Sequence, residues 1–361
     1  MQSALNKEKR NLKAIFKEFL KSGEVIGGKE LEIFEKNFST YLGVSNFAGV
    51  GNGLDAIRLS LLALGIGPGD EVIVPSFTFV ATWLAVIQTG ATPIPVDILA
   101  ENAGMNLSNL PITKRTRAVI YVHLYGIGVD LTSLRAFLDS KSIHLIEDAA
   151  QSHGAEVSGK KIGTFGISGC FSFYPTKNLG ALGDAGGIAS DNSEFINQIK
   201  ALRSYGSMKN KYQHEIVGWN SRLDTIQAMF LDYYLTKLDI QNQNRRRIAK
   251  SYLDEISFNE HFYPITKDLS NSNVWHHFVV IAPAPKRNSI KEELRKSGIG
   301  TDIHYPEPAY SARCFDTERS KDFPIANFLA DSCISIPIYP WLKSKEIDKV
   351  ISEFNKIIKV G

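Results

Sequence analysis

Between residues 50 and 205, short β-rich runs alternate with stretches of helical periodicity, and this alternation narrows the possible folds more than any other feature. The strand candidates are EVIVP (71–75), TPIPV (92–96), AVIYVHLY (118–125), IHLIED (143–148), CFSFY (170–174) and GIAS (187–190). Helical stretches separate them: LDAIRLSLLALG (54–65), FVATWLAVIQTG (79–90) and LTSLRAFLDS (131–140). Apolar runs divided by helices imply an α/β fold, a mostly parallel sheet covered on both faces. Ligands of such sheets bind beyond the carboxyl ends of the strands. EDAAQ and FSFYPTK both place polar residues there.

At 361 residues the chain exceeds one simple core, and two domains are expected. The run 222–256 reads as one long helix or two joined ones, with Leu223, Ile226, Phe230, Tyr233 and Tyr234 along one face. Beyond it lies a smaller unit: VWHHFVVIA (274–282) as a strand, NSIKEELRKSG (288–298) as a helix, IGTDIHYP (299–306) as a strand and turn, and an amphipathic helix from Lys343 to about Lys359. The expected division is a large domain over 1–240 and a small α+β domain over 241–361.

A formal net charge of +3 argues against a dedicated nucleic-acid binder. The dense basic run, Arg245, Arg246 and Arg247, reads as a solvated helix face or a small anion contact. Leu12, Ile15, Phe16, Phe19 and Leu20 follow helical spacing near the N-terminus. That stretch lacks the apolar core of a secretory signal, and Glu8 and Glu18 argue against an organellar presequence. No window approaches a membrane span. Cys170, Cys314 and Cys333 show no metal spacing and read as free thiols in a reducing compartment. The expectation is a cytoplasmic protein with no metal site.

Two segments carry chemistry. In FSFYPTKNLGALGDAGG (171–187), Lys177 follows aromatic and small residues and precedes a glycine-rich turn. A primary amine attacks a carbonyl only when uncharged, so a catalytic lysine needs surroundings that lower its pKa. In EDAAQSHG (147–154), Asp148 ends an apolar run, where a buried carboxylate costs several kcal/mol unless it meets a cation. A protonated pyridine nitrogen is such a cation, and the pair points to a pyridoxal-phosphate enzyme. The competing readings are a solvated lysine and a helix-capping aspartate.

GVGNGLDAIRL (49–59) sets a glycine turn before a helix, whose free N–H groups suit a phosphate; a plain helix start is the alternative. It lacks the GxGxxG pattern and following acid of a dinucleotide site. Ser172 would add a hydroxyl, or simply bond its own strand. Phe77 and Phe79 in VPSFTFVAT (74–82) offer a ring to stack on a pyridine, or are core. Gln151, one turn past Asp148, would reach the phenolic oxygen, or act as a cap.

Together these residues resemble the DegT/DnrJ/StrS family of sugar aminotransferases, of the aspartate aminotransferase-like fold (fold type I). The likeness spans SGEVIGGKELEIFE (22–35) to GIGTDIHYP, with GNGLDA, PSFTFVAT, GATPIPVD, HLYG, IEDAAQSHGA, FSFYPTKNLGALGDAGG, NSRLD and HYP in this order. It implies that Lys177 is the cofactor-linking lysine, that Asp148 pairs with the pyridinium nitrogen and that Gln151 contacts the ring. It further implies that Gly53, Leu54 and Ser172 bind the phosphate and that Phe79 stacks. Asn220 would reach the same phosphate from the neighbouring subunit, which implies a homodimer with shared sites.

The reaction implied is ping-pong transamination, pyridoxal phosphate passing through pyridoxamine phosphate with L-glutamate as donor. GNGLDA, VWHHFVV and IGTDIHYP look most like the enzymes that aminate C3 of dTDP-linked 3-keto-6-deoxyhexoses, giving dTDP-3-amino-3,6-dideoxyhexoses. Candidate sugar-nucleotide contacts by this likeness are Gly27, Gly28, Tyr174, Arg222, His304 and Tyr305. His276, His304 and Tyr305 serve equally well as packing or interface residues. EPAYSARCF, after HYP, departs from the family pattern, which often has a histidine there. Alternatives are a C4 aminotransferase of a 4-keto-6-deoxy nucleotide sugar and a non-catalytic regulator on the same fold. A sugar 3-dehydratase would carry histidine in place of Lys177.

Overall fold

The computed structural model describes residues 2–207, 212–315 and 320–360. Its main sheet contains β1 (Asn46–Val50), β2 (Glu71–Pro75), β3 (Thr92–Val96), β4 (Thr116–Val122) and β5 (His144–Asp148). A small hairpin, β6 (Glu156–Val157) and β7 (Lys160–Lys161), precedes its remaining strands, β8 (Ser168–Ser172) and β9 (Gly186–Ser190). The spatial order is β1-β9-β8-β5-β4-β2-β3. Strands β8, β5, β4, β2 and β3 pair parallel in turn, while β9 runs against both β8 and β1. The sheet is therefore mixed, mostly parallel, as expected.

Successive residues of a strand face opposite sides, and here both sides are dry. Val72, Val74, Ile120 and Ile146 enter one core, with α3 (Gly53–Ala63), α4 (Val80–Ile87) and α6 (Ser193–Leu202) packed over them. Ile73, Val119, Leu145 and Phe171 enter the other, under α2 (Lys29–Leu42), α5 (Thr132–Asp139) and α7 (Thr225–Leu235). The N-terminal helix α1 (Gln2–Ser22) lies against α7, where Lys237 pairs with Glu8 at 2.7 Å.

A third core gathers around β10 (Tyr263–Pro264), β11 (Phe278–Ile281) and β12 (Cys333–Ile336), which are antiparallel. Phe278, Val280, Ile334 and Ile336 meet α8 (Leu238–Glu255), α9 (Arg287–Lys296) and α11 (Ser344–Val360) there. The other face of this small sheet, with Val279, Ile281, Cys333 and Leu329 of α10 (Pro324–Ser332), joins the first core of the large sheet.

Several elements differ from the sequence reading. The 222–256 run is two joined helices, α7 and α8, one of the two arrangements expected; Leu223, placed on its helical face, is buried but precedes α7. VWHH stays outside β11, since Trp275 sits at φ 50° and turns the chain before Phe278. IGTDIHYP contributes one bridge, Asp302 to Ser335, rather than a strand. The main sheet also includes β1, preceded by α2, ahead of the first strand expected from the sequence.

One carboxylate ties α10 to the large sheet. Asp97, just past β3, accepts from the amides of Ile325 and Ala326, both at 3.0 Å, in the first turn of α10. Those amides have no partner within the helix. Asp97→Ala should therefore lower unfolding stability by about 1–2 kcal/mol. Asp97→Asn should recover part of it, and urea denaturation at neutral pH checks both.

Candidate active site

β5 and β8 end side by side, and the residues at and just beyond their carboxyl ends share a cavity of about 390 Å³. Asp148 is the last residue of β5 and Ser172 the last of β8. The chain then turns so that the Lys177 amide bonds the Tyr174 carbonyl at 2.8 Å, which brings Lys177 back to the same cavity. Burial pushes the Lys177 amine down to about 8, with the Asp148 charge opposing the shift. Burial likewise raises the pKa of Asp148, against the pull of its hydrogen bonds and of Lys177 and His123. Both groups are thus driven toward neutrality, the state a nucleophilic amine requires.

Asp148 is held from two sides: Thr82 Oγ1 donates to Oδ2 at 2.8 Å and the Ala150 amide to Oδ1 at 3.1 Å. Thr82 lies one turn along α4 from its N-cap, Phe79. Strand alternation sends the neighbouring Glu147 to the opposite face. There it accepts from the amides of Gly163, Phe165 and Gly166 at 2.6–2.8 Å, and its Oε2 lies 3.1 Å from His123 Nε2. The two adjacent acids have separate tasks: one fixes a loop and the other faces the cavity.

A cradle lies beside them. Asn52 caps α3, its side chain accepting from the Asp55 amide at 2.8 Å. The amides of Gly53 and Leu54, in the first turn, fall outside the helix's own ladder. A Cβ on Gly53 would stand 2.6 Å from Ser172 Cβ, so only glycine lets this helix end approach the serine. Gln151 is fixed by the Tyr125 amide donating to its Oε1 at 2.7 Å, and its Nε2 donates to Tyr305 Oη at 2.9 Å. Tyr305 in turn lies 5.5 Å from the Phe79 ring, centroid to centroid. Tyr174 and His304 complete the wall.

The structure thus gathers Gly53, Leu54, Phe79, Asp148, Gln151, Ser172, Tyr174, Lys177, His304 and Tyr305 in one cavity. Four anticipated residues lie elsewhere in the chain. Gly27 and Arg222 line a separate open cavity of about 1510 Å³, where the Arg222 guanidinium sits over the Tyr205 ring at 5.5 Å. Gly28 is the N-cap of α2, and Asn220 is exposed, bridged to Ser204.

Arg245 is no solvated residue. It is buried, its Nη1 bonding the carbonyls of Ile338 at 3.0 Å, Trp275 at 3.2 Å and His276 at 3.4 Å. Phe77 is core, fully buried. Three contributors are absent from the sequence reading: Thr82, Asn178 and His277. Asn178 fixes His276 through a 3.1 Å contact with Nδ1 and donates to Asn242 and the Val274 carbonyl. Thr82 stands within the PSFTFVAT run itself, and helical spacing from Phe79 was the available signal.

An amine held near neutrality, a dry acid facing it, and a helix-end cradle define a pyridoxal-phosphate-type pocket. Pyridoxal phosphate fits these residues. Its ring nitrogen would supply a cation beside Asp148, and its phosphate would meet the amides of Gly53 and Leu54 and the Ser172 hydroxyl.

The chain belongs to the DegT/DnrJ/EryC1/StrS aminotransferase family, which it matches over residues 6–355. It is 41% identical to the dTDP-3-amino-3,4,6-trideoxy-alpha-D-glucose transaminase of Streptomyces venezuelae, over 92% of this chain and 88% of that one. It is 39% identical to the dTDP-3-amino-3,6-dideoxy-alpha-D-galactopyranose transaminase of Aneurinibacillus thermoaerophilus, covering 93% and 92% of the two chains. Among solved structures, S. venezuelae DesV in complex with a ketimine intermediate superposes with a TM-score of 0.94 at 38% identity. That match covers 99% of this chain and 96% of the other.

If Lys177 must shed its proton before reacting, the rate at which apoprotein takes up pyridoxal phosphate should climb with pH and level off above about 8. The Asp148 carboxylate favours the ammonium, so Asp148→Asn should move that midpoint downward. Stopped-flow absorbance across pH 6–11 measures both. A midpoint at the ordinary lysine value of 10.5 would remove the basis for the role given to burial.

Proposed function

We propose that this chain transfers the amino group of L-glutamate to C3 of a dTDP-linked 3-keto-6-deoxyhexose, producing a dTDP-3-amino-3,6-dideoxyhexose. The observation that carries the reading is Lys177 and Asp148 facing one cavity beside the Gly53–Ser172 cradle. The choice of C3 and of the dTDP sugar rests on the two relatives, both named as transaminases of 3-amino dTDP sugars. A regulator that only binds would need no dry acid opposite a lysine of lowered pKa.

The roles follow from placement. Pyridoxal phosphate, when bound, supplies an electron sink for the carbon that bears the amine. Asp148, as a carboxylate bonded by Thr82 and Ala150, holds the proton on the ring nitrogen and keeps that sink effective. Lys177 Nζ moves the proton between substrate carbon and cofactor, a task suited to a base whose pKa is near the working pH. Gln151 and Tyr305, bonded to each other, would hold the ring's polar edge, and Phe79 beside them would cover its face. Tyr174 and His304, on the same wall, are the candidate sugar contacts.

We further propose a cytoplasmic homodimer in which Asn220, Arg222, Gly27 and Gly28 of one subunit complete the partner's cavity. The support is that none of them lines their own chain's Lys177 cavity, together with the size of the opening that Gly27 and Arg222 line. Arg222 suits a diphosphate: its Nε is buried without a hydrogen-bond partner among the described residues.

Two experiments test this. Supplying each keto sugar with glutamate and locating the new amine by NMR should place it at C3; amine at C4 would refute the regiochemistry. Lys177→Ala and Arg222→Ala, each inactive alone, should regain about a quarter of wild-type activity when unfolded together and refolded, since half the dimers are mixed and each holds one intact site. No recovery would argue for sites complete within one chain.

A further inference from the structure

Lys177 borders two cavities. Behind the one it shares with Asp148 lies a second, of about 460 Å³, and both are lined by Thr176, Lys177, His276 and His277. Nothing in the reaction outlined above uses this second space. Its charges are mostly positive. Arg245 contributes a buried guanidinium that bonds three carbonyls and, among the described residues, pairs with no carboxylate. Lys7 stands exposed at the rim. The acid there, Glu8, is already engaged by Lys237 at 2.7 Å and Asn11 at 3.1 Å. A buried cation without a counter-ion is costly, and an entering anion relieves that cost.

His277 stands where the two cavities meet. Its ring is stacked on His304 at 3.8 Å and 18° and lies 4.1 Å from the His276 ring. His276 bonds Asn178 and His304 bonds Ser335 Oγ at 2.8 Å, whereas the His277 ring has no hydrogen bond among the described residues. A held, half-buried imidazole with free nitrogens is a donor awaiting a ligand.

We propose that the second cavity receives the distal carboxylate of the dicarboxylic amino donor, with His277 donating a hydrogen bond to it and Arg245 supplying the opposing charge. This rests on the aminotransferase reading and deepens it by assigning the donor a subsite apart from that of the nucleotide sugar. Burial, then His304, Lys177 and Arg245, holds the His277 pKa well below its ordinary value, so the donating ring is neutral. His276 and His304 are shifted the same way, chiefly by burial, so the stack does not repel Lys177 with charge of its own. The cavity therefore selects for a second carboxylate on the donor, through its fixed cation and one oriented N–H.

The test uses holoenzyme and glutarate, a dicarboxylate that cannot donate an amine, with butyrate as the singly charged control. By calorimetry, wild type should bind glutarate at least about tenfold more tightly than butyrate. His277→Leu should weaken glutarate about tenfold, well beyond any change in dTDP-sugar affinity. Lys7→Glu, an exposed rim change that spares the core, should weaken glutarate about threefold at low salt and less at high salt. Unchanged glutarate affinity in both variants, or a loss that falls on the nucleotide sugar instead, overturns the proposal. Wild-type holoenzyme is first given glutamate alone. If its visible absorbance does not bleach, the aminotransferase reading fails; if it bleaches while the variants bind glutarate normally, only this inference fails.

Discussion

A carboxylate placed dry at the end of a central parallel strand is the constraint from which the rest of this site follows. Asp148 is 7% exposed and flanked by β4 and β8. Two hydrogen bonds, from Thr82 and the Ala150 amide, offset part of the desolvation, yet burial still dominates and its pKa is raised. The protein alone leaves the cost of burying this charge only partly offset, with Lys177 and His123 opposing the rise. A cationic heterocycle would offset more of it, and the energy lost in burying Asp148 becomes affinity and electronic control once that ring arrives.

The same strand end organises its surroundings through its neighbour. Glu147 points the other way and gathers three amides from the 163–166 loop. That loop lies close against β8: a Cβ on Gly169, in β8, would lie 1.9 Å from the Gly163 carbonyl oxygen. β8 is thereby fixed beside β5, and Ser172 and the Lys177 turn inherit their positions from it. The distance between acid and amine is thus set by backbone pairing and buried amides rather than by flexible side chains, which is how a site holds geometry through two half-reactions.

The sheet strands and the Lys177–Asp148 pair were legible because their signals are local: an apolar run with turn residues at its end, and a lysine inside a distinctive string. The contacts of Arg245 were not. Helical periodicity marks the face on which a residue lies but not what covers that face. Here the cover is a set of carbonyls from Trp275, His276 and Ile338, up to 93 residues away. His277 was hidden for a similar reason. VWHHFVVIA has the composition of a strand throughout, and only the left-handed Trp275 shows that its first half is a turn carrying two imidazoles into the cavity. Thr82 looks like any helix-interior threonine until β5 is brought beneath it.

The proposed dimer would give the exposed rings of this site a cover. Phe79 and Tyr174, each 52% exposed, stand at the mouth of the cavity, where a stacking ring and a sugar contact would function poorly in open water. Low dielectric is what gives Lys177 its lowered pKa and what makes an oriented imidazole or guanidinium discriminate between ligands. Covering those rings with a second copy would strengthen every electrostatic term already built into the pocket without moving a catalytic atom. In the proposed dimer, the large opening lined by Gly27 and Arg222 would be the counterpart surface, and the buried Arg222 Nε, without a hydrogen bond among the described residues, would tie dimer formation to recognition of a diphosphate.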